Sequence, residues 1–229
     1  MFILLSVALA PGLALFSFFY LKNQMATEPR KTLLQTFIYG AILTFPIMFL
    51  QYVFKEEQVF TQALMQEVFF SSIIEEFFKW LILLLVIYHH VEFDDPYDGV
   101  LYGAAISLGF ASVENVFYLI SYGVDTAFLR AVLPVSSHAL FGVVMGYYLG
   151  KAKFNLHNRH KLFISFALVI PVILHSSYNF ILVLQKHWLY LMIPFMLFLW
   201  WFGLRKVKKA HIALMQLLNN QSVKDKFSR

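Results

Sequence analysis

The sequence predicts an all-α bundle that crosses a membrane about seven times, with six to eight crossings open, and three observations carry that expectation. Residues of hydrophobic type make up 60% of the 229 positions, charged residues only 14%, and the mean hydropathy is +0.68. The apolar residues fall in runs near 1–21, 33–54, 63–87, 99–121, 128–150, 161–184 and 188–204, each reaching or nearly reaching the length a helix needs to span. Lys and Arg collect between alternate runs. A soluble globule with one buried core does not have this composition.

Taking the runs in order, the first lacks a basic stretch before it, so it reads as an uncleaved span although Ala8-Leu9-Ala10 resembles a small-residue cleavage site. The connection after it holds Lys22, Arg30 and Lys31. The fifth connection holds Lys151, Lys153, Arg159 and Lys161, and a basic stretch over 205–229 holds seven more. Lys55, Arg130 and Lys186 flank the opposite end. Fourteen of the 18 basic residues thus lie on one side, which predicts a cell-membrane protein with its N-terminus outside and a cytoplasmic C-terminal tail. The third connection, Glu92 to Asp98, should share the cytoplasmic side yet carries no Lys or Arg.

The expected organisation is a transmembrane domain over 1–204 and a tail over 205–229, either a short amphipathic surface helix or a partly disordered segment. The basic balance therefore reads as topology and contact with the lipid bilayer, not as a nucleic-acid surface. Gly142, Gly146 and Gly150 recur every fourth residue and suit close helix packing. With no cysteine, disulfides, thiolate metal sites and a cysteine nucleophile are excluded.

The third run contains Glu75, Glu76 and Lys79, and charge inside a span costs about 2.5–3.5 kcal/mol per residue, so such residues usually mark a functional interior. On a helix Lys79 reaches either carboxylate. One reading is a structural ion pair; the other leaves one carboxylate as a general base. Three later runs carry further polar side chains: Glu114 and Asn115, His138 after Ser136-Ser137, and His175 followed by Ser176-Ser177-Tyr178-Asn179.

Measured along the helices from the outer end, Glu75 lies roughly 18 Å deep, Glu114 about 10 Å, His138 about 15 Å and His175 about 14 Å. A shared layer follows. Asn179, four residues after His175, is placed to hydrogen-bond it and fix its tautomer. These groups suit water activation by Glu75, with Glu76 paired to Lys79 or exchanging roles with it. They equally suit a divalent metal such as zinc, with Glu114, His138 and His175 as candidate ligands. No cofactor is otherwise indicated. The sequence contains no His-Glu-x-x-His, no Gly-x-Ser-x-Gly, and no Gly-x-Gly-Asp to partner Tyr97-Asp98. A transporter or sensor with a buried proton relay is the rival class, although no paired repeat is visible.

The motifs resemble the PrsW family of intramembrane proteases, distant relatives of the CAAX prenyl endopeptidases and bacteriocin-immunity proteins. Glu75-Glu76-Phe77-Phe78-Lys79 matches its Glu-Glu-x-x-Lys, Phe110 to Glu114 its Phe-x-x-x-Glu, His138 to Gly142 its His-x-x-x-Gly, and His175 to Asn179 its His-x-x-x-Asp with asparagine in the last place. The resemblance implies a site-1 protease that cuts a single-pass membrane anti-sigma factor of the RsiW type outside the cytoplasm. A site-2 protease then acts on the product, releasing a sigma factor in envelope stress and antimicrobial-peptide response. A CAAX-type protease or an immunity protein is the alternative within the same resemblance.

Overall fold

The computed structural model describes residues 2–22, 30–59, 65–154, 159–184, 186 and 188–227, and every regular element among them is helical. In chain order these are α1 (Phe2–Lys22), α2 (Arg30–Glu56), α3 (Ser71–Ile82), α4 (Asp98–Tyr122), the short α5 (Ala127–Arg130), α6 (Ser136–Phe154), α7 (His160–Val183) and α8 (Trp188–Phe227). Six helices among the described residues are long and apolar enough to cross a membrane. The third expected span is built differently: α3 is flanked by wider π turns, Met65–Phe70 before and Leu83–Ile87 after, in one uninterrupted helical run.

That run is amphipathic in the sense a bilayer demands. Ser72, Glu75, Glu76 and Lys79 recur at three- and four-residue spacing and are buried, while Ile73 and Phe77 on the other face are exposed. Lipid solvates the apolar face, so the polar face turns inward.

α4 and α6 form the centre. α1 and α2 pack on α4, α7 and α8 on α6, and α3 closes the bundle against α7 and α2. Glycine sets the spacing of the central pair. A methyl group at Gly103 would lie 2.1 Å from Gly142 O, and one at Gly146 would lie 1.7 Å from Gly99 O, so the two backbones touch where Gly142 and Gly146 were expected to admit a neighbour. Accordingly, Gly103→Val or Gly146→Val should force the helices apart and cost several kcal/mol, as overpacking against rigid backbone does. Loss of the protein from membranes, measured by immunoblot against wild type, checks this; normal accumulation would contradict the packing.

The last turn of α1, the first turn of α2, the third connection, the facing ends of α6 and α7 and the far half of α8 share one end of the bundle. Thr32 hydrogen-bonds the Glu92 carboxylate, and the Tyr97 hydroxyl donates to Phe19 O at 3.4 Å. Lys153 donates to Tyr88 O at 2.8 Å and His90 O at 3.4 Å. The third connection thus obtains from α6 the cation its own sequence lacks.

The expected break at 204 does not interrupt the helix. α8 runs on to Phe227, and Gly203, Val207, Ala210 and Leu214 continue one buried stripe past it. The side chains beyond Asn220, Lys224 and Lys226 among them, and Arg229 lie outside the described residues.

Candidate active site

Four helices deliver the polar groups. α3 presents Glu75, Glu76 and Lys79, α4 Glu114, α6 His138, and α7 His175. Trp80 Nε1 donates to Ile164 O at 3.2 Å, tying α3 to α7, and Asn179 Nδ2 donates to Ser72 Oγ at 3.0 Å, one turn before Glu75 and Glu76.

Glu76 is wholly buried and engages two charged or titratable partners through one oxygen. Its Oε1 accepts from Lys79 Nζ at 2.8 Å and from His175 Nδ1 at 3.0 Å. A carboxylate can only accept, so His175 Nδ1 carries the proton and Nε2 keeps its lone pair, which points toward Glu75 Oε2 at 4.0 Å. Phe141 stacks on the His175 ring at 5.1 Å, fixing its plane. Glu76 thus orients His175 from its Nδ1 side.

His138 is held in the same way from the other side. Its Nε2 lies 3.1 Å from Glu114 Oε2, leaving Nδ1 to accept from Lys79 Nζ at 3.3 Å. The two imidazole rings meet edge to face at 5.0 Å. Each histidine therefore has a carboxylate behind it and a lone pair directed into a common space, the arrangement that raises ligand basicity in metal sites.

Glu75 differs from Glu76. Its Oε1 accepts from Gln51 Nε2 at 3.0 Å and Ser71 Oγ at 3.1 Å, while Oε2 is buried with no hydrogen-bond partner among the described residues. Glu76 Oε2 is likewise buried without a partner. Lys79 occupies the middle, 3.6 Å from Glu75 Oε2 and 4.1 Å above the Phe110 ring.

One donor atom from each of Glu75, Glu76, His138 and His175 falls within 4.8 Å of all the others. The expected trio of ligands is thereby revised, since Glu114 stands behind His138 and outside this group. Arg130, expected as an outer topology charge, is drawn inward: Nη2 lies 3.4 Å from Glu114 Oε1, Nε donates to Asn115 Oδ1 at 3.1 Å, and the guanidinium covers Tyr118 at 4.0 Å. Gln51 and Ser71 also joined the site without being singled out from sequence. Asp98 is not part of it: its Oδ2 accepts the backbone N–H groups of Asp94 and Asp95 at 2.8 Å, at the other end of the bundle.

Fold and site together define a class: a multi-pass helical membrane protein with a hydrolytic type of centre, carboxylates and imidazoles, sealed among its spans. Comparison with known proteins places it further. A family model described as PrsW family intramembrane metalloprotease matches residues 28–202. The chain is 50% identical over 218 residues to Protease PrsW of Bacillus subtilis, covering 95% of this chain and 100% of that one. It is 50% identical over 212 residues to Protease PrsW of Halalkalibacterium halodurans, covering 92% and 98%, and 30% identical over 197 residues to that of Clostridioides difficile, covering 82% and 83%. No solved structure matches. The chain belongs to the PrsW family of intramembrane proteases, and it is a peptidase.

Proposed function

We propose that this protease makes the first, extracytoplasmic cut in a single-pass membrane anti-sigma factor of the RsiW type, after which a site-2 protease releases the sigma factor. The observation that carries the reading is the position of the Glu75, Glu76, His138 and His175 group within the apolar bundle, nearer the end opposite the basic connections. With the basic end in the cytoplasm, as the excess of Lys and Arg favours, the group lies toward the outer side of the membrane.

Peptide hydrolysis needs a base beside a water and a donor for the leaving amine. Glu75 is the base: its Oε2 is the carboxylate oxygen left without a hydrogen bond next to the lone pair of His175 Nε2. It takes the proton as water oxygen adds to the carbonyl carbon, then returns it to the amine nitrogen as the C–N bond breaks. Glu76, neutralised by Lys79, orients His175, and Glu114, paired with Arg130, orients His138.

The donor set fits a divalent metal. His138 and His175, each with a carboxylate behind it, would hold a zinc-type ion together with a carboxylate of the cluster, Glu75 Oε2 being the one on the Nε2 side of His175. Such an ion would supply Lewis acidity and acidify bound water. Lys79 Nζ, 3.3 Å from His138 Nδ1, competes for the same space and would have to withdraw.

A cleft between the turn before α3 and α7 offers a route for a membrane-embedded substrate. It is a cavity of about 360 Å³ lined by Val68, Phe69, Ile173, Ser176 and Phe180, open on the lipid side. Ser176 Oγ, adjacent in sequence to His175, is buried there with no hydrogen-bond partner among the described residues. It can meet the backbone of an unwound substrate segment. Ile173→Trp fills the cleft from an exposed position, so it should reduce cleavage of a membrane-spanning substrate about tenfold with unchanged thermal stability. Undiminished cleavage would show that the substrate enters elsewhere.

The function itself is tested by co-expressing a doubly tagged RsiW-type protein with wild type and with His175→Ala. Expected is a fragment truncated outside the cytoplasm with wild type alone. A substrate left intact by wild type overturns the assignment.

A further inference from the structure

At the basic end of the bundle lies a second cavity, unrelated to the hydrolytic centre, of about 400 Å³. It is enclosed by the end of α6, by Pro96 just before α4, and by the half of α8 that continues past residue 204. Phe154, Ala210, Ala213 and Leu217 give it apolar walls, and Lys151 and Lys209 stand in its lining.

Its electrostatics are one-sided. The charged groups acting on Lys151 are Lys206, Lys209 and Arg159, all cations. Among the described residues no carboxylate lies within ion-pair distance of Lys151, Lys206 or Lys209. The acidic groups of the third connection are engaged elsewhere: Asp94 and Asp98 act on Lys153, and Asp95 and Asp98 accept from the backbone N–H groups of Asp94, Asp95, Tyr97 and Asp98. Lys206 is held in place, donating to Tyr148 Oη at 2.9 Å with the Tyr147 ring 4.9 Å away. Bringing such cations together over an apolar hollow is costly unless an anion joins them.

The level of the cavity decides which anion. Both helices pass from apolar to basic sequence here, α6 at Lys151 and α8 at Arg205, with Tyr147, Tyr148 and Trp201 just on the apolar side. That is the depth of lipid headgroups. A ligand with a phosphate for the lysines and an apolar body for the walls is an anionic glycerophospholipid, and basic pockets between spanning helices take such headgroups. We infer that this cavity is a specific site for one anionic phospholipid, which fastens the α8 extension to α6 and the third connection.

The experiment uses the full chain in bilayer nanodiscs of phosphatidylcholine with or without phosphatidylglycerol. Native mass spectrometry after gentle extraction counts retained lipid, and thermal unfolding reads its effect. Wild type should retain one phosphatidylglycerol per chain in preference to phosphatidylcholine and unfold at higher temperature when it is present. Lys151→Gln with Lys209→Gln should weaken retention at least tenfold and abolish the shift, while its unfolding in phosphatidylcholine alone matches wild type. Lys151→Arg with Lys209→Arg keeps both charges and should retain the lipid, which separates loss of charge from misfolding. Equal retention of the two lipids by wild type, or equal retention of phosphatidylglycerol by wild type and the glutamine variant, overturns the site. A full thermal shift from glycerol phosphate alone would assign the cavity to a soluble phosphate compound and overturn the lipid.

Discussion

Replacing Glu75 with glutamine will lower cleavage by about 10²–10⁴-fold, the range that a positioned general base contributes, while the protein accumulates as wild type does. Glutamine preserves the shape of the side chain, and its carbonyl oxygen can still accept from Gln51 and Ser71, which hold the present Oε1 at 3.0 Å and 3.1 Å. What disappears is a proton acceptor at the place of Oε2, the oxygen facing His175 Nε2. Glu76→Gln should behave differently. It keeps an acceptor oxygen but removes the negative charge that faces both Lys79 and His175, so stability falls together with activity. Product formation from a purified membrane substrate, set beside the unfolding temperature of each variant, distinguishes the two. A Glu75→Gln protein that cleaves at wild-type rate would move the base to another residue.

The contrast between these neighbouring glutamates shows what could be read from the chain and what could not. The spans follow from hydropathy alone, because lipid leaves no alternative to a helix with its backbone satisfied internally. The choice of Glu75, Glu76, His138 and His175 follows from the cost of placing them there. Depth along a helix, however, says nothing about rotation around it. Glu114 shares the layer of His138 and His175 yet faces the back of His138, with Arg130 beyond it. Arg130 looked like a topology charge because its partner comes from another helix. Gln51 and Ser71 are ordinary polar residues until α2 and α3 meet. The α8 extension was hidden by its charges, although Val207, Ala210 and Leu214 keep helical spacing and are each only 1% exposed.

The Lys79→Met variant tests the centre from the opposite direction. Lys79 is fully buried, and its ammonium is the cation shared by Glu76 at 2.8 Å, Glu75 at 3.6 Å and the lone pair of His138 at 3.3 Å. Methionine fills much of the same volume against Phe110 but leaves two carboxylates facing each other without a counter-charge. Breaking a buried ion pair by removing one partner costs about 3–5 kcal/mol, so the variant should unfold at a markedly lower temperature and accumulate poorly. Adding Glu76→Gln to it removes the carboxylate charge left without a partner, and because replacing both members of a buried pair is often nearly neutral, the double variant should regain much of the lost stability. Recovery of stability without recovery of cleavage would separate the two functions of the cluster, holding the bundle together and positioning His175. If instead the double variant is less stable than Lys79→Met alone, the pair is not energetically coupled, and the cation at the middle of the site is not what allows two glutamates to sit side by side within a membrane.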